Sequence, residues 1–63
     1  MTSQRYRLHF VLDRRLHERE RALDSENPVV DLLNWLADEY DERAKMKKIF
    51  VLHRDGSVEQ IYK

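Results

Sequence analysis

From Arg5 to Leu12 the side chains alternate strictly, with Tyr6, Leu8, Phe10 and Leu12 on one side and Arg5, Arg7, His9 and Val11 on the other. A period of two belongs to an extended strand with one face buried. It does not fit a helix, whose apolar residues recur every third or fourth position. This run commits the chain to a sheet, and the period change that follows supplies the layer to cover it. Over residues 28–44, Val29, Leu33, Leu36, Ala37, Tyr40 and Ala44 fall in one stripe at 100° per residue, with Leu32 on its flank. Asn27 stands where an N-cap is needed, and Pro28 suits the first helical position, where an absent N–H is no loss. The opposite face of this helix carries Asp31, Asn34, Asp38, Asp41 and Glu42.

Residues 47–63 read as a hairpin of strands 47–53 and 57–62. Gly56, the only glycine of the chain, follows Asp55, and Asp-Gly is a favoured pair for a two-residue type I′ turn. With Asp55-Gly56 as the turn, His53 faces Val58, Val51 faces Gln60 and Ile49 faces Tyr62. Ile49, Val51, Val58 and Tyr62 then share one face, and Phe50, Leu52 and Ile61 share the other with Glu59.

The segment from Arg14 to Asp24 supports two readings. As a helix it has good formers and an Arg14–Glu18 pair, but only a thin apolar stripe of Leu16, Ala22 and Leu23. As a strand over 16–23 it folds back on strand 5–12 as a polar edge, although Asp13-Arg14-Arg15 lacks the glycine or asparagine that a tight turn prefers. The strand reading is preferred. It gives an α+β fold, ββαββ, with one helix across an antiparallel sheet in the order 2-1-3-4. The most apolar strands lie in the centre and the most polar at the edges. The helical reading gives βααββ.

Sixty-three residues make one domain, and a chain of this size buries only about 60% of its unfolded surface. With no cysteine in the sequence, disulfides and thiolate metal sites are excluded. Three scattered histidines do not make a zinc pattern. Self-association is the remaining common means of stabilising so small a core. No apolar run is long enough to span a membrane and no signal peptide is visible, which together with the missing cysteines leads to the expectation of a cytoplasmic protein.

The formal charge is zero, but the charges are segregated. Seven acids and no Lys or Arg lie between Asp24 and Glu42, whereas the flanks carry twelve bases and five acids. If the acids occupy the outer face of the helix and the bases the sheet, the two sets lie on opposite sides of the domain, and each can select a partner.

Four features are candidates for function. The first is a basic stripe. A three-residue connection at 13–15 sets Arg7 against Arg21 and His9 against Arg19, so that Arg5, Arg7, Arg19 and Arg21 share the sheet face away from the helix. There they could grip the phosphates of a nucleic acid. A connection one residue shorter moves the second strand's charges to the other face, setting Glu18 against Val11 and Glu20 against His9; the alternative to a nucleic-acid surface is a solvated outer face crossed by salt bridges. The second is the acidic helix face, with Asp31, Asp38, Asp41 and Glu42, which could dock on a basic site of a larger protein as an inhibitor or adaptor. The third is Trp35, on the border between the apolar and acidic sides of the helix. It serves either to cover the sheet rim or to anchor a partner. The fourth is surplus apolar surface. One helix covers one sheet face, yet the hairpin is apolar on both, so either Phe50, Leu52 and Ile61 or the set containing Tyr62 is left for something else to cover.

Nothing in the chain favours catalysis. It has no Ser-His-Asp or cysteine pattern, no glycine-rich phosphate loop, no His-x-x-x-His pair and no sign of two carboxylates held across a cleft. The sequence therefore leads to a non-enzymatic module without cofactor or metal. Its partner is another protein and, first, a second copy of itself; nucleic acid is the alternative.

Overall fold

A computed structural model describes residues 3–63. It has one helix packed on a four-stranded antiparallel sheet. The strands are β1 (Gln4–Leu12), β2 (Arg15–Leu23), β3 (Ala44–Leu52) and β4 (Val58–Tyr62), in the order β2-β1-β3-β4. Helix α1 (Pro28–Tyr40) lies between β2 and β3 in the chain, followed by a 3-10 turn at Asp41–Arg43. The ββαββ reading and its strand order therefore hold, and residues 15–23 form a strand.

The alternation of β1 places Tyr6, Leu8 and Phe10 against the helix. With Leu32 and Leu36 from α1 and Met46 and Ile49 from β3 they make the buried core. Leu8, Phe10 and Ile49 are fully buried at the sheet centre. The helical stripe is centred one position from where its periodicity put it. Leu32 is buried, Val29, Leu33 and Tyr40 flank it, and Ala37 is exposed.

The helix also ends earlier than residue 44. Asp41 takes φ 54° and ψ −137°, a conformation that interrupts helical geometry and that glycine adopts most easily. Asp41 and Glu42 therefore leave the helix face. Ala44 begins β3, three residues before the expected strand start. Asn27 occupies the N-cap position, but its side chain makes no capping bond. Ser25 organises this end instead, accepting from the Asn27 N–H at 3.0 Å and donating to the Asp31 carboxylate.

Both hairpin turns differ from expectation, in opposite directions. Strand pairing of Leu12 with Arg15 leaves a two-residue turn of Asp13 and Arg14, with φ 53° and 67°. Positive φ at both central residues is the type I′ arrangement, made here without glycine. At the other hairpin the Gly56 N–H donates to the His53 carbonyl at 3.1 Å and the His53 N–H to the Ser57 carbonyl at 2.9 Å. The loop is thus three residues, Arg54-Asp55-Gly56, and Gly56 at φ 92° supplies the left-handed residue that closes it.

The longer loop slips the β3–β4 register by one. Leu52 faces Val58, Val51 faces Glu59 and Phe50 faces Gln60, until a bulge restores Ile49 opposite Tyr62. Val58 and Ile61 consequently exchange sides. Val58 joins Leu52 and Phe50 on the open face, and Ile61 packs with Tyr62 against the core.

Candidate functional site

The two-residue turn decides the fate of the basic stripe. In the observed register Arg5 faces Ala22, Arg7 faces Glu20, His9 faces Glu18 and Val11 faces Leu16. Directly opposed residues share a face, so Arg5 and Arg7 lie on the open side of the sheet, while His17, Arg19 and Arg21 lie on the helix side. The four arginines are not brought together. The three-residue connection that would have aligned them is one residue too long.

On the open face the glutamates of β2 answer the bases of β1. Arg5 Nη2 is 3.1 Å from Glu20 Oε1, Arg7 Nη2 is 3.6 Å from Glu20 Oε2, and His9 Nε2 is 3.1 Å from Glu18 Oε2. The buried Nε of Arg7 stands 3.8 Å from Glu18 Oε1 without a hydrogen-bond partner. These groups are largely exposed, so each pair contributes little to stability. Their effect is on recognition, because the arginines that would meet a phosphate are already neutralised.

The other half of the open face is mixed: Lys45 and Lys48 of β3 lie opposite Val11 and His9, Gln60 of β4 lies opposite Phe50, and the apolar residues gather at one end. Phe50 is half-buried beside Arg7, with the His9 ring edge-on at 5.1 Å between centroids. Leu52 and Val58 are neighbours across β3 and β4, and Val58 is 52% exposed. Among the described residues nothing covers this face. It therefore holds a charge network over β1–β2, the lysines Lys45 and Lys48 on β3, and an apolar group of Phe50, Leu52 and Val58 at the hairpin end of β3–β4.

On the helix side, Trp35 leans toward β2. Its ring meets Phe10 at 6.5 Å and Tyr40 at 6.4 Å, and the Arg21 guanidinium carbon lies 4.5 Å above its centroid. His17 stacks on Phe10 at 5.6 Å. Arg21 and Trp35 form a cation–π contact, so Trp35 covers the sheet rim with one ring face occupied.

The same placement revises the expected separation of charge. Arg19 and Arg21 sit on the helix side of the sheet, not across the core from the acids. Asp31 and Asp38 remain exposed on α1, whereas Asp41 and Glu42 belong to the following turn. Arg43 of that turn pairs with Asp13 at 3.1 Å.

Two carboxyl or phenol groups depart from ordinary behaviour. Burial, followed by the charge of Asp24, pushes the Tyr6 phenol up. The hydroxyl and then the amide of Ser57, bonded to the Asp55 carboxylate, hold it below the usual range. Both serve the fold, one in the core and one in a turn. Among the described residues no three metal-ligating side chains cluster, and no helix is long and apolar enough to cross a membrane. Two shallow depressions lie at the sheet ends. One, of about 220 Å³, is lined by Gln4, Arg5, Leu52 and His53 among others; the second, of about 250 Å³, lies at Gln60, Ile61, Tyr62 and Lys63. Comparison with family models, with curated proteins and with solved structures finds no match.

Proposed function

We propose that this protein is a binding module rather than an enzyme, and that its first partner is a second copy of itself. The observation that carries the reading is the uncovered sheet face, where Phe50, Leu52 and Val58 stand together. Apolar side chains grouped on one open side of a monomer this small favour an interface. The missing cysteines point the same way, because association is a common means of enlarging a small core, here seven buried residues among those described.

Sedimentation equilibrium over the micromolar range tests this. A mass rising from 7.7 kDa toward twice that value with concentration is expected. A mass of 7.7 kDa at every concentration would refute it.

A further inference from the structure

Several arginines are already engaged within the fold. Arg5 and Arg7 answer Glu20 on the open face, at 3.1 and 3.6 Å, and Arg43 holds Asp13 at 3.1 Å. Arg21 lies over the Trp35 ring. Pairing of Leu12 with Arg15 across a two-residue turn leaves the Glu18 carbonyl on the free side of β2. The Arg19 guanidinium donates to it at 2.9 Å and so blunts the edge of its own strand. The lysines of β3 are different. All three of Lys45, Lys47 and Lys48 are exposed, and among the described residues no carboxylate pairs with any of them.

A bulge in β3 gathers these lysines. Lys48 faces His9 and Met46 faces Phe10, which leaves Lys47 as the extra residue between them. Met46 and Ile49 are both buried against the helix. The two lysines between them therefore both project to the open side, where strict alternation would turn one of them inward. Lys45, opposite Val11, lies on the same side. Strand β4 pairs with β3 only over residues 49–52, so no strand among the described residues flanks the lysine stretch on that side. The next open-face residue along β3 is Phe50, half-buried, with the His9 ring edge-on at 5.1 Å.

Counted by face, the open side holds five bases, Arg5, Arg7, Lys45, Lys47 and Lys48, against two acids, Glu18 and Glu20. The acids are spent on β1, and the surplus lies along a central strand. Such a surface attracts a polyanion, and lysine binds phosphate as a point charge. The aromatic ring at the end of the lysine track favours nucleic acid over an acidic protein, because bases stack on such rings. The major groove of a duplex admits a helix or a two-stranded ribbon, and a four-stranded face is too broad for it. A single strand can lie flat on the sheet.

We propose that the open face binds single-stranded nucleic acid, with phosphates on Lys45, Lys47 and Lys48 and a base against Phe50. The lysines lie outside the surface on which self-association rests. Phe50 belongs to both, so a bound strand and a second copy exclude one another there.

Fluorescence anisotropy of a labelled oligothymidylate of about twelve nucleotides tests this, first at about 20 mM salt, where phosphate contacts are strongest. With three such contacts, the association constant should fall about twentyfold between roughly 50 and 200 mM salt. The triple variant Lys45→Gln, Lys47→Gln, Lys48→Gln should lose about tenfold or more in affinity at low salt, and most of the salt dependence with it. Phe50→Leu should weaken binding about fivefold or more and leave the salt dependence unchanged. Arg19→Gln, on the helix side of β2, should stay within about twofold of wild type. Absence of binding by wild type at low salt overturns the proposal. So does a triple-lysine or Phe50→Leu variant that binds like wild type, or an Arg19→Gln variant that loses as much as the lysines do. If polyglutamate of the same length, or vesicles of phosphatidylserine, bind as tightly as the oligonucleotide, the surface belongs to another polyanion and the assignment to nucleic acid falls. Circular dichroism checks the fold of each variant. The lysine variant alters only exposed side chains, so it decides alone if Phe50→Leu unfolds. Sedimentation without oligonucleotide reads self-association separately, and either reading can fail by itself.

Discussion

Replacing Arg14 with glycine should stabilise the fold. Arg14 is the second central residue of the β1–β2 turn, at φ 67°. There its Cβ crowds the backbone and costs about 1–2 kcal/mol relative to a residue free to adopt that conformation. Glycine removes this crowding but gives the unfolded chain more freedom, which offsets about 0.4–1 kcal/mol. The difference leaves a gain of about 0.5–1 kcal/mol. For a domain of this size that is a rise in Tm of about 2–8 °C. The neighbouring Asp13, at φ 53°, is less strained because short polar side chains tolerate the left-handed region, and it should be kept for its contact with Arg43 at 3.1 Å. The assay is urea unfolding followed by circular dichroism, with Arg14→Val as the opposite perturbation. A β-branched residue at this φ should lose at least ~1 kcal/mol relative to Arg. Register depends on the same turn, because a firm two-residue connection holds Glu18 and Glu20 against His9 and Arg7. Nuclear Overhauser contacts between the stacked Phe10 and His17 rings should persist in Arg14→Gly. A destabilised Arg14→Gly, or a neutral Arg14→Val, would mean that Arg14 does not hold a left-handed conformation and that the register has another cause.

The core and its one perturbed phenol give two further tests. Leu8 is fully buried at the sheet centre, so Leu8→Ala should cost about 2–5 kcal/mol. That is a large share of the roughly 3–9 kcal/mol available to a chain of this length, whereas Leu16→Ala, at a residue 67% exposed, should change the urea midpoint by less than ~0.5 kcal/mol equivalent. Similar midpoints for the two variants would contradict the core assignment. The Tyr6 phenol is raised above its ordinary value of 10.0, by burial first and then by Asp24. Its contribution is therefore complete below that pH and declines above it, where the unfolded chain releases the proton before the folded one. Stability should fall more steeply between pH 9 and about 11 in wild type than in Tyr6→Phe; equal slopes would remove the phenol from the account.

The layers of this fold are legible in the sequence because they depend on period. Tyr6, Leu8 and Phe10 alternate and are buried; the stripe around Leu32 and Leu36 is helical and faces them. Turn chemistry is less legible, because it depends on backbone angles that side chains bias only weakly. Asp55-Gly56 suggests a two-residue turn, yet the glycine serves as the closing residue of a three-residue loop. Asp13-Arg14 has no glycine, yet takes positive φ twice. Packing of Phe10 and Leu8 between neighbouring strands outweighs the local preference there, at a cost small beside the burial it secures. Each turn differs from expectation by one residue, and one residue reverses the side on which every following side chain lies. The placement of Val58, Ile61, Arg19 and Arg21 follows from those two turns alone.

The helix boundary is no more legible in the sequence. Ala44 continues the apolar stripe, and only the backbone at Asp41 breaks it.

Charge segregation along the chain also takes a different meaning in three dimensions. The block of acids between Asp24 and Glu42 suggests a domain with an acidic side and a basic side. The finer sorting within β2 is what the register makes consequential. Alternating Glu and Arg over residues 18–21 would be unremarkable on a helix, where both kinds would spread around the surface. On an edge strand the same alternation separates them completely, acids to the open face and bases to the helix side. The acids then neutralise Arg5 and Arg7, Arg21 covers Trp35, and Arg19 guards the strand's own edge. All three contacts act within the monomer, so the charged edge is occupied by intramolecular work. Phe50, Leu52 and Val58 lie at the other end of the open face, outside this charge network. A segregation that first points to an outside ligand for the arginines thus resolves into contacts that commit them within the fold.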